Sequence, residues 1–259
     1  MPLLELKDIR IYYEISGPEN APVLLLSNSL GTNLSMWDPQ MDFFSEDFRV
    51  LRYDSRGHGR STATTGPYKI DQLAEDVLGV LDKLSIQQVH FCGLSMGGMI
   101  GMSLSLRVPQ RIRKLTLCST APKIGSPEIW NTRIETVQKN GMGAVVDGVL
   151  ERWFTPQFRA NCPAAIEHTR EMLLDTGVVG YAATCAAIRD YDAREAIGKV
   201  KTPTLILSGA HDPVTPPKDG HFMAERIRGS QYKELPAAHL SNIEAAEAFT
   251  MELSSFLRA

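Results

Sequence analysis

Short apolar runs separated by turn residues dominate the first 120 residues of the chain. Runs of this length without polar alternation are typical of strands that are buried on both faces of a parallel sheet. The predicted strands span residues 3–7, 9–15, 23–26, 48–53, 89–92 and 112–118. Apolar residues at helical spacing predict a helix over 70–84, and an apolar stretch ending near Arg107 predicts another. This alternation predicts a parallel sheet covered by helices on both faces.

The strand pattern stops at about residue 120 and resumes after residue 192. The intervening stretch has helical spacing over 129–139, 143–152, 164–174 and 178–190. Further strands are predicted over 204–207 and 231–235, with a closing helix over 243–257. The sequence therefore predicts an α/β core built from residues 1–119 and 193–259. A helical cap, residues 120–192, is expected to be inserted into it.

Composition narrows the class of protein. A chain of 259 residues is long enough to bury roughly 70–75% of its unfolded surface without metal or disulfide support. Its net charge of −3 offers nucleic acid no electrostatic attraction. Four charged side chains lie within the first ten residues, and no apolar run approaches the ~20 residues of a membrane span. We therefore expect a cytosolic protein with no nucleic-acid or membrane partner.

The four cysteines, at positions 92, 118, 162 and 185, are not arranged as metal or redox pairs. None stands in C-x-x-C spacing. Because no secretion signal is evident, we expect all four thiols to be reduced. We also expect no metal and no organic cofactor.

The segment Gly93-Leu94-Ser95-Met96-Gly97 is a G-x-S-x-G motif between a predicted strand and a predicted helix. In that context the turn presents the serine hydroxyl at the carboxyl end of the strand, close to a helix N-terminus. The motif alone is weak, but its strand–turn–helix setting favours Ser95 as a nucleophile over a simple helix-capping serine.

A serine nucleophile needs a base, and His239 is the best placed of six histidines. It follows the last predicted strand, so it should lie at the same sheet edge as Ser95. His90 lies inside a strand and His58 in a glycine-rich turn, where structural roles are expected. His168 lies in the predicted cap, and His221 on a polar helical stretch.

An acid is needed to orient the histidine, and Asp212 follows the strand predicted at 204–207. Asp219 is a weaker candidate, and Asp54 is expected to hold a turn by hydrogen bonds. The resulting order along the chain is serine, aspartate, histidine, which is the order expected on an α/β-hydrolase sheet.

Two backbone N–H groups are candidates to stabilise the oxyanion formed during attack. One is the N–H of Met96, next to the nucleophile, and the other lies in the loop after strand 23–26, where we expect it to be Leu30. Asn28-Ser29 stands in that loop where a His-Gly pair is common. The substitution leaves the donor in place because the donor is backbone.

These motifs resemble the α/β-hydrolase family over essentially the whole chain, and the 3-oxoadipate enol-lactonases more closely. The closer resemblance rests on the residues at 29–32, 36–40, 52–59, 93–101 and 130–134. It implies a mostly parallel eight-stranded sheet with a helical cap. It also implies a cofactor-free hydrolase that opens the enol-lactone ring in the β-ketoadipate route of aromatic degradation.

The implied substrate carries a free carboxylate, which needs a fixed cation. Arg133 lies three positions after Trp130, on one face of a predicted cap helix. A guanidinium matches a planar carboxylate, so Arg133 is the candidate anchor. A solvated surface arginine is the alternative. Trp130 and Trp153 are candidates to line the pocket, and packing within the cap is the alternative for both.

Other activities share these motifs. A carboxylesterase, a cofactor-free haloperoxidase-like enzyme and a C–C bond hydrolase of ring-fission products would differ only in the pocket. A protein of a different class, a ligand-binding module that keeps the fold without the activity, is also compatible. Hydrolysis of an activated ester, lost on serine modification, would separate that module from the enzymes.

Overall fold

Eight strands form one sheet in the computed structural model, which describes residues 3–259. They are β1 Leu3–Glu5, β2 Arg10–Ser16, β3 Val23–Ser27, β4 Arg49–Tyr53, β5 Val89–Leu94, β6 Ile112–Cys118, β7 Thr204–Gly209 and β8 Gln231–Leu235. Their order across the sheet is β1-β2-β4-β3-β5-β6-β7-β8. The pairs β1–β2 and β2–β4 are antiparallel, and the others are parallel. The predicted fold class, a mostly parallel eight-stranded sheet, is confirmed.

Both faces of the sheet are covered, which explains the unbroken apolar runs. Along β3, Leu25 joins one apolar cluster, whereas its neighbours Leu24 and Leu26 join the cluster on the other face. Successive strand residues point to opposite faces, so a run without polar residues requires two cores. Cys92 and Cys118 are buried on β5 and β6, and all four cysteines are free.

Eleven helices surround the sheet in the described residues. They are α1 Asp38–Asp47, α2 Ile70–Lys83, α3 Met96–Arg107, α4 Pro127–Asn140, α5 Gly143–Trp153, α6 Pro156–Asn161, α7 Pro163–Asp175, α8 Val178–Asp190, α9 Pro217–Arg226, α10 Ser241–Glu244 and α11 Ala246–Arg258. The sequence analysis did not predict α1, which buries only Gln40 and Phe44 and so shows no apolar stripe.

The prediction of a single closing helix over 243–257 is wrong. The chain leaves helical geometry at Ala245, with φ −120° and ψ 48°, so that α10 and α11 are separate. Beside this break, the carboxylate of Glu244 accepts hydrogen bonds from the N–H groups of Thr155 and Ala238.

Helices α4 to α8, here called the cap, lie between β6 and β7 in the chain. Within the cap, α4 packs against α8 and α5 against α7. A hydrogen bond of 2.9 Å from the N–H of Ala193 to the carbonyl of Pro122 joins the two ends of this segment. The division at residues 120 and 192 stays a prediction, and residues 1 and 2 of the predicted core lie outside the described residues.

Within residues 3–259, no single helix has both the length and the hydropathy of a membrane span. Only α7 and α8 together reach the length and hydropathy of a span, and they meet at a bend of 95°.

Candidate active site

The turn between β5 and α3 holds Ser95 in an uncommon backbone conformation. Its φ of 56° and ψ of −112° lie in the left-handed half of the map, at a cost of roughly 1–3 kcal/mol. Two hydrogen bonds hold the turn in place. The N–H of Ser95 donates to the carbonyl of Cys118 at 2.9 Å, and the hydroxyl of Thr120 donates to the carbonyl of Ser95 at 2.7 Å. The neighbouring strand β6 thus supports the strained residue.

The two glycines of the motif are required by close backbone contacts. A Cβ atom on Gly93 would lie 2.2 Å from the carbonyl oxygen of Gly97, and one on Gly97 would lie 2.1 Å from that of Ser27. The N–H of Gly97 donates to the carbonyl of Asn28 at 3.0 Å, which joins the turn to the loop after β3. Any side chain at either position would push the turn away from this loop.

His239 and Asp212 form a buried pair at the carboxyl edge of the sheet. The distance from Nδ1 of His239 to Oδ2 of Asp212 is 2.7 Å. Because an ionised carboxylate only accepts hydrogen bonds, Nδ1 carries the proton and the lone pair of the neutral ring is on Nε2. The ring is therefore set to accept a proton at Nε2.

Asp212 is held as a carboxylate by three further donors. The N–H groups of Val214 and Thr215 donate to Oδ1 at 2.7 and 3.1 Å, and the hydroxyl of Thr215 donates to Oδ2 at 2.7 Å. Burial alone would raise the pKa of this carboxyl. The positive charge of His239 and the hydrogen bonds of His239 and Thr215 outweigh burial, so that the pKa lies below its ordinary value.

Glu244 joins the His239 loop to the cap. Its Oε2 accepts the N–H of Ala238 at 2.8 Å, and its Oε1 accepts the N–H of Thr155 at 3.1 Å as well as the Thr155 hydroxyl. The N–H of Leu240 donates to the carbonyl of Trp153 at 3.1 Å. These contacts couple the position of the imidazole to the junction between α5 and α6. The sequence analysis missed Glu244, because a glutamate in a short helix carries no distinctive signal.

The N–H groups of Leu30 and Met96 are free among the hydrogen bonds of residues 3–259. The N–H groups around them are used, for example those of Ser95 and Gly97. Met96 is the first residue of α3, where a helix leaves its N–H groups without internal acceptors. Both N–H groups are therefore without an acceptor in the described residues.

A cavity of about 260 Å³ lies between this edge and the cap. Its lining includes the predicted residues Leu30, Ser95, Trp130, Arg133, Trp153 and His239. Asp212 stands behind His239, and Met96 lies within the turn. The volume is slightly below the range of about 300–1,000 Å³ typical of drug-sized ligands, so the cavity suits a small substrate.

The three predicted cap residues have distinct contacts. The indole N–H of Trp130 donates to the carbonyl of Ile124 at 2.7 Å, and the guanidinium of Arg133 lies 5.4 Å from the centre of the Trp130 ring. The ring of Trp153 lies 6.2 Å from that of His239. Both tryptophans are buried and also line the cavity, so packing and lining are combined in the same side chains.

The polar residues assigned to structure behave as expected. The ring of His58 is buried, and its Nδ1 donates to the carbonyl of Arg56 at 3.1 Å. Asp54 accepts the N–H groups of Leu34 and Arg60, each at 2.8 Å. His90 is buried within β5. Within residues 3–259, no cluster of three or more His, Cys, Asp or Glu side chains could hold a metal ion.

Arg152 and Ser29 also line the cavity, and the sequence analysis missed both. Arg152 directly precedes Trp153 in α5, so its nearness to the predicted pocket was a usable signal. Ser29 stands next to Leu30, and its hydroxyl is buried with no hydrogen-bond partner in residues 3–259.

Comparison with known proteins agrees with this geometry. A family model described as alpha/beta hydrolase fold matches residues 22–159. The chain is 39% identical over 255 residues to 3-oxoadipate enol-lactonase 2 of Acinetobacter baylyi, covering 98% of this chain and 96% of that protein. The crystal structure of the enol-lactonase from Burkholderia xenovorans LB400 superposes with a TM-score of 0.98 at 46% identity over all of both chains. A putative carbamate hydrolase, RutD, of Agrobacterium fabrum is 30% identical over 263 residues, covering 95% and 98%.

Proposed function

This chain belongs to the α/β-hydrolase family as a carboxylic ester hydrolase, and we propose that it opens the ring of 3-oxoadipate enol-lactone to give 3-oxoadipate. The observation that carries the proposal is the cavity itself, in which Ser95 and His239 face Arg133 from the cap. Enol-lactonases similar to this chain along nearly its full length support the choice of substrate. The proposal includes a place in the β-ketoadipate route of aromatic degradation.

The first half of the reaction acylates Ser95. Its Oγ attacks the lactone carbonyl while Nε2 of His239 takes the hydroxyl proton, and Asp212 stabilises the imidazolium that forms. The carbonyl oxygen becomes an oxyanion, for which the free N–H groups of Leu30 and Met96 are the proposed donors. Because these donors are backbone groups held by a helix N-terminus and a buried loop, they need little reorganisation as charge develops.

Ring opening then breaks the bond between the carbonyl carbon and the ring oxygen. The ring oxygen leaves as an enolate, which takes the proton held on Nε2 of His239 and tautomerises to the ketone, so that the imidazole is neutral again. An enolate is a better leaving group than an alkoxide, so this step depends little on acid assistance from His239. The acyl chain stays bonded to Ser95.

The second half hydrolyses the acyl-enzyme. Nε2 of His239 takes a proton from water, which attacks the acyl carbonyl, and the same two N–H groups stabilise the second oxyanion. Ser95 leaves with the proton returned by His239, and 3-oxoadipate is released. Every proton passes through one nitrogen, whose lone pair is kept free by the bond from Nδ1 to Asp212.

Arg133 is the proposed anchor for the free carboxylate of the substrate. Its guanidinium stands against the Trp130 ring, which leaves the planar edge of the guanidinium available for a bidentate contact. Trp130 and Trp153 provide apolar walls for the ring of the lactone. A charged hydrogen bond of this kind contributes roughly 1.5–3 kcal/mol, which corresponds to a selectivity of about 10- to 150-fold over a neutral ester.

Steady-state hydrolysis of three substrates tests the proposal. The enol-lactone should show the highest kcat/KM, a neutral p-nitrophenyl ester should be slower, and a carbamate, included because of the RutD relative, slower still. A carbamate turned over faster than the enol-lactone would overturn the proposed substrate while leaving the serine chemistry intact. Equal values for the lactone and the neutral ester would overturn the role given to the carboxylate.

A further inference from the structure

The catalytic cavity contains two guanidinium groups and no carboxylate. Among residues 3–259, its charged lining residues are Arg133 and Arg152, and no Asp or Glu lines it. Asp212 lies behind His239, where the imidazole and Thr215 already use its oxygens. The space under the cap therefore carries an excess of positive charge.

Other arginines of the cap do have counter-ions. Arg170 lies 2.7 Å from a carboxylate oxygen of Asp147, and Arg189 lies 2.7 Å from one of Asp190. Neither Arg133 nor Arg152 forms a salt bridge within residues 3–259. Glu151, next to Arg152 in α5, acts on it electrostatically but forms no salt bridge with it. Both arginines are half-buried, so part of their hydration has been lost without a salt bridge to replace it.

The two unpaired guanidiniums belong to one group of side chains. They come from α4 and α5, and the hydroxyl of Tyr181 on α8 interacts with Arg133 and lies within electrostatic reach of Arg152. Burial and the neighbouring charge of Arg133 lower the pKa of Arg152. Two like charges held together in a partly dry site destabilise each other until an anion binds.

We propose that Arg152 is a second specificity-determining residue, which binds the carboxylate of an anionic ester or lactone together with Arg133. The proposal rests on the proposed function and extends it to a class of substrate, small esters that carry one carboxylate. Two guanidiniums on a single carboxylate would bind both of its oxygens from two sides. They would thereby set the orientation of the reacting carbonyl relative to Ser95 more closely than one cation could.

Arg152 is also reachable from outside the cavity. With Pro213 it lines a second, more open cleft of about 600 Å³ that borders the catalytic cavity. The guanidinium therefore stands where the outer cleft meets the inner space. Glu151 lines the same outer cleft, so Arg152 is approached there beside a carboxylate.

Inhibition by a matched pair of small molecules tests this proposal. Hexanoate carries one carboxylate, and hexanamide has nearly the same shape without the charge. Each is used as a competitive inhibitor of p-nitrophenyl acetate hydrolysis by the full-length enzyme. Replacing Arg152 by Met keeps the apolar stem and removes the charge. We expect Arg152→Met to raise the Ki of hexanoate by at least about tenfold, as for loss of a charged hydrogen bond, and to leave that of hexanamide unchanged.

Three further variants sharpen the result. Arg152→Lys should recover part of the affinity for hexanoate, because the charge returns without the planar fork. Arg170→Met, which removes a paired cap arginine, should change neither Ki. In the double variant of Arg133→Met and Arg152→Met, the Ki of hexanoate should be only slightly higher than in whichever single variant has the higher Ki. The reason is that both residues bind the same carboxylate.

Several outcomes would overturn the proposal. They are an unchanged Ki of hexanoate in Arg152→Met, an equal rise for hexanamide, and single losses that simply multiply in the double variant. Far-UV circular dichroism and thermal unfolding report that each variant is folded. Because the inhibition assay does not use the enol-lactone, Arg152 can prove dispensable while the proposed substrate stands. The enol-lactone can equally fail as a substrate while hexanoate binding still depends on Arg152.

Discussion

Arginine side chains are buried in two different ways in this molecule. One example is Arg56 in the α/β core, and the others are Arg133 and Arg152 at the cap. The guanidinium of Arg56 is buried and donates at 2.6 to 3.0 Å to the carboxylates of Asp76 and Asp8. These bonds outweigh burial and raise its pKa. Arg133 and Arg152 form no salt bridge within residues 3–259, and burial lowers the pKa of Arg152.

This difference distinguishes an arginine that supports the fold from arginines that are available to bind a ligand. Removing one partner of a fully paired buried charge destabilises the fold, and such a charge has no capacity left for a ligand. A charge left unpaired in a cavity costs stability and keeps that capacity. The same division holds at the catalytic edge, where Asp212 is saturated with donors, whereas the N–H groups of Leu30 and Met96 are free.

The largest effect should follow from removing the nucleophile in the core. Ser95→Ala should lower kcat by roughly 10⁴-fold or more for charged and neutral substrates alike, since only the oxyanion donors and binding remain. His239→Ala should cost about as much, and Asp212→Asn somewhat less. Single-turnover and steady-state rates on the enol-lactone and on p-nitrophenyl acetate measure this. Turnover near that of the wild type in Ser95→Ala would contradict the proposed mechanism.

The buried core arginine should affect stability rather than selectivity. Arg56→Met leaves Asp76 buried without its partner, and breaking such a pair typically costs about 3–5 kcal/mol. Urea denaturation should show this loss, while the ratio of kcat/KM for the two substrates stays constant in the folded protein. Arg170→Met is the control, because its more exposed ion pair should contribute only about 0–1 kcal/mol. A loss below about 1 kcal/mol for Arg56→Met would remove the contrast between core and cap.

The cap arginine should show the opposite behaviour. Arg133→Ala should reduce kcat/KM for the enol-lactone by about 10- to 150-fold and leave hydrolysis of the neutral ester nearly unchanged. Arg133→Lys should recover only part of the loss. Equal losses for both substrates would mean that Arg133 holds the cap together, and no loss for either would place the carboxylate elsewhere.

The smallest predicted effect is on how the free energy of unfolding changes with pH. It comes from His58, whose buried side chain is neutral, unlike the charged Arg56. Burial lowers the pKa of His58 to about 4, and its Nε2 has no hydrogen-bond partner in residues 3–259. In the unfolded chain a histidine takes up a proton below pH ~6.5, so its contribution to stability is complete above that pH and is lost as the pH falls toward 4. Each pH unit between about 6.5 and 4 should lower the free energy of unfolding by up to about 1.4 kcal/mol.

Replacing His58 by Asn should make the free energy of unfolding less dependent on pH. Urea titrations at pH 7.5 and 5.5 give the two values for the wild type and the variant. The wild type should lose about 1.4 kcal/mol more than His58→Asn between them. An identical loss in both proteins would show that other groups cause the acid sensitivity.

The sheet and the central site residues could be predicted because their signals are local. Apolar runs mark strands buried on both faces, and the glycines of the Ser95 turn are required by contacts at 2.1 and 2.2 Å. Asp212 and His239 each follow a strand, and carboxyl ends of parallel strands meet at one edge of the sheet. Strand order along the chain was therefore enough to predict that both residues lie at the same sheet edge as Ser95.

The sequence by itself determined the mostly parallel α/β architecture and the turn that carries Ser95, since apolar runs and the glycine motif are local signals. Only the tertiary structure decided how Glu244 is bonded to Thr155, 89 residues away, and why the last helix breaks beside it. It also decided that Arg133 and Arg152, from two helices, face one cavity without a counter-ion. The physical reason is that a hydrogen bond or a charge interaction depends on distance in space, and local periodicity carries no information about which distant residues fold into contact.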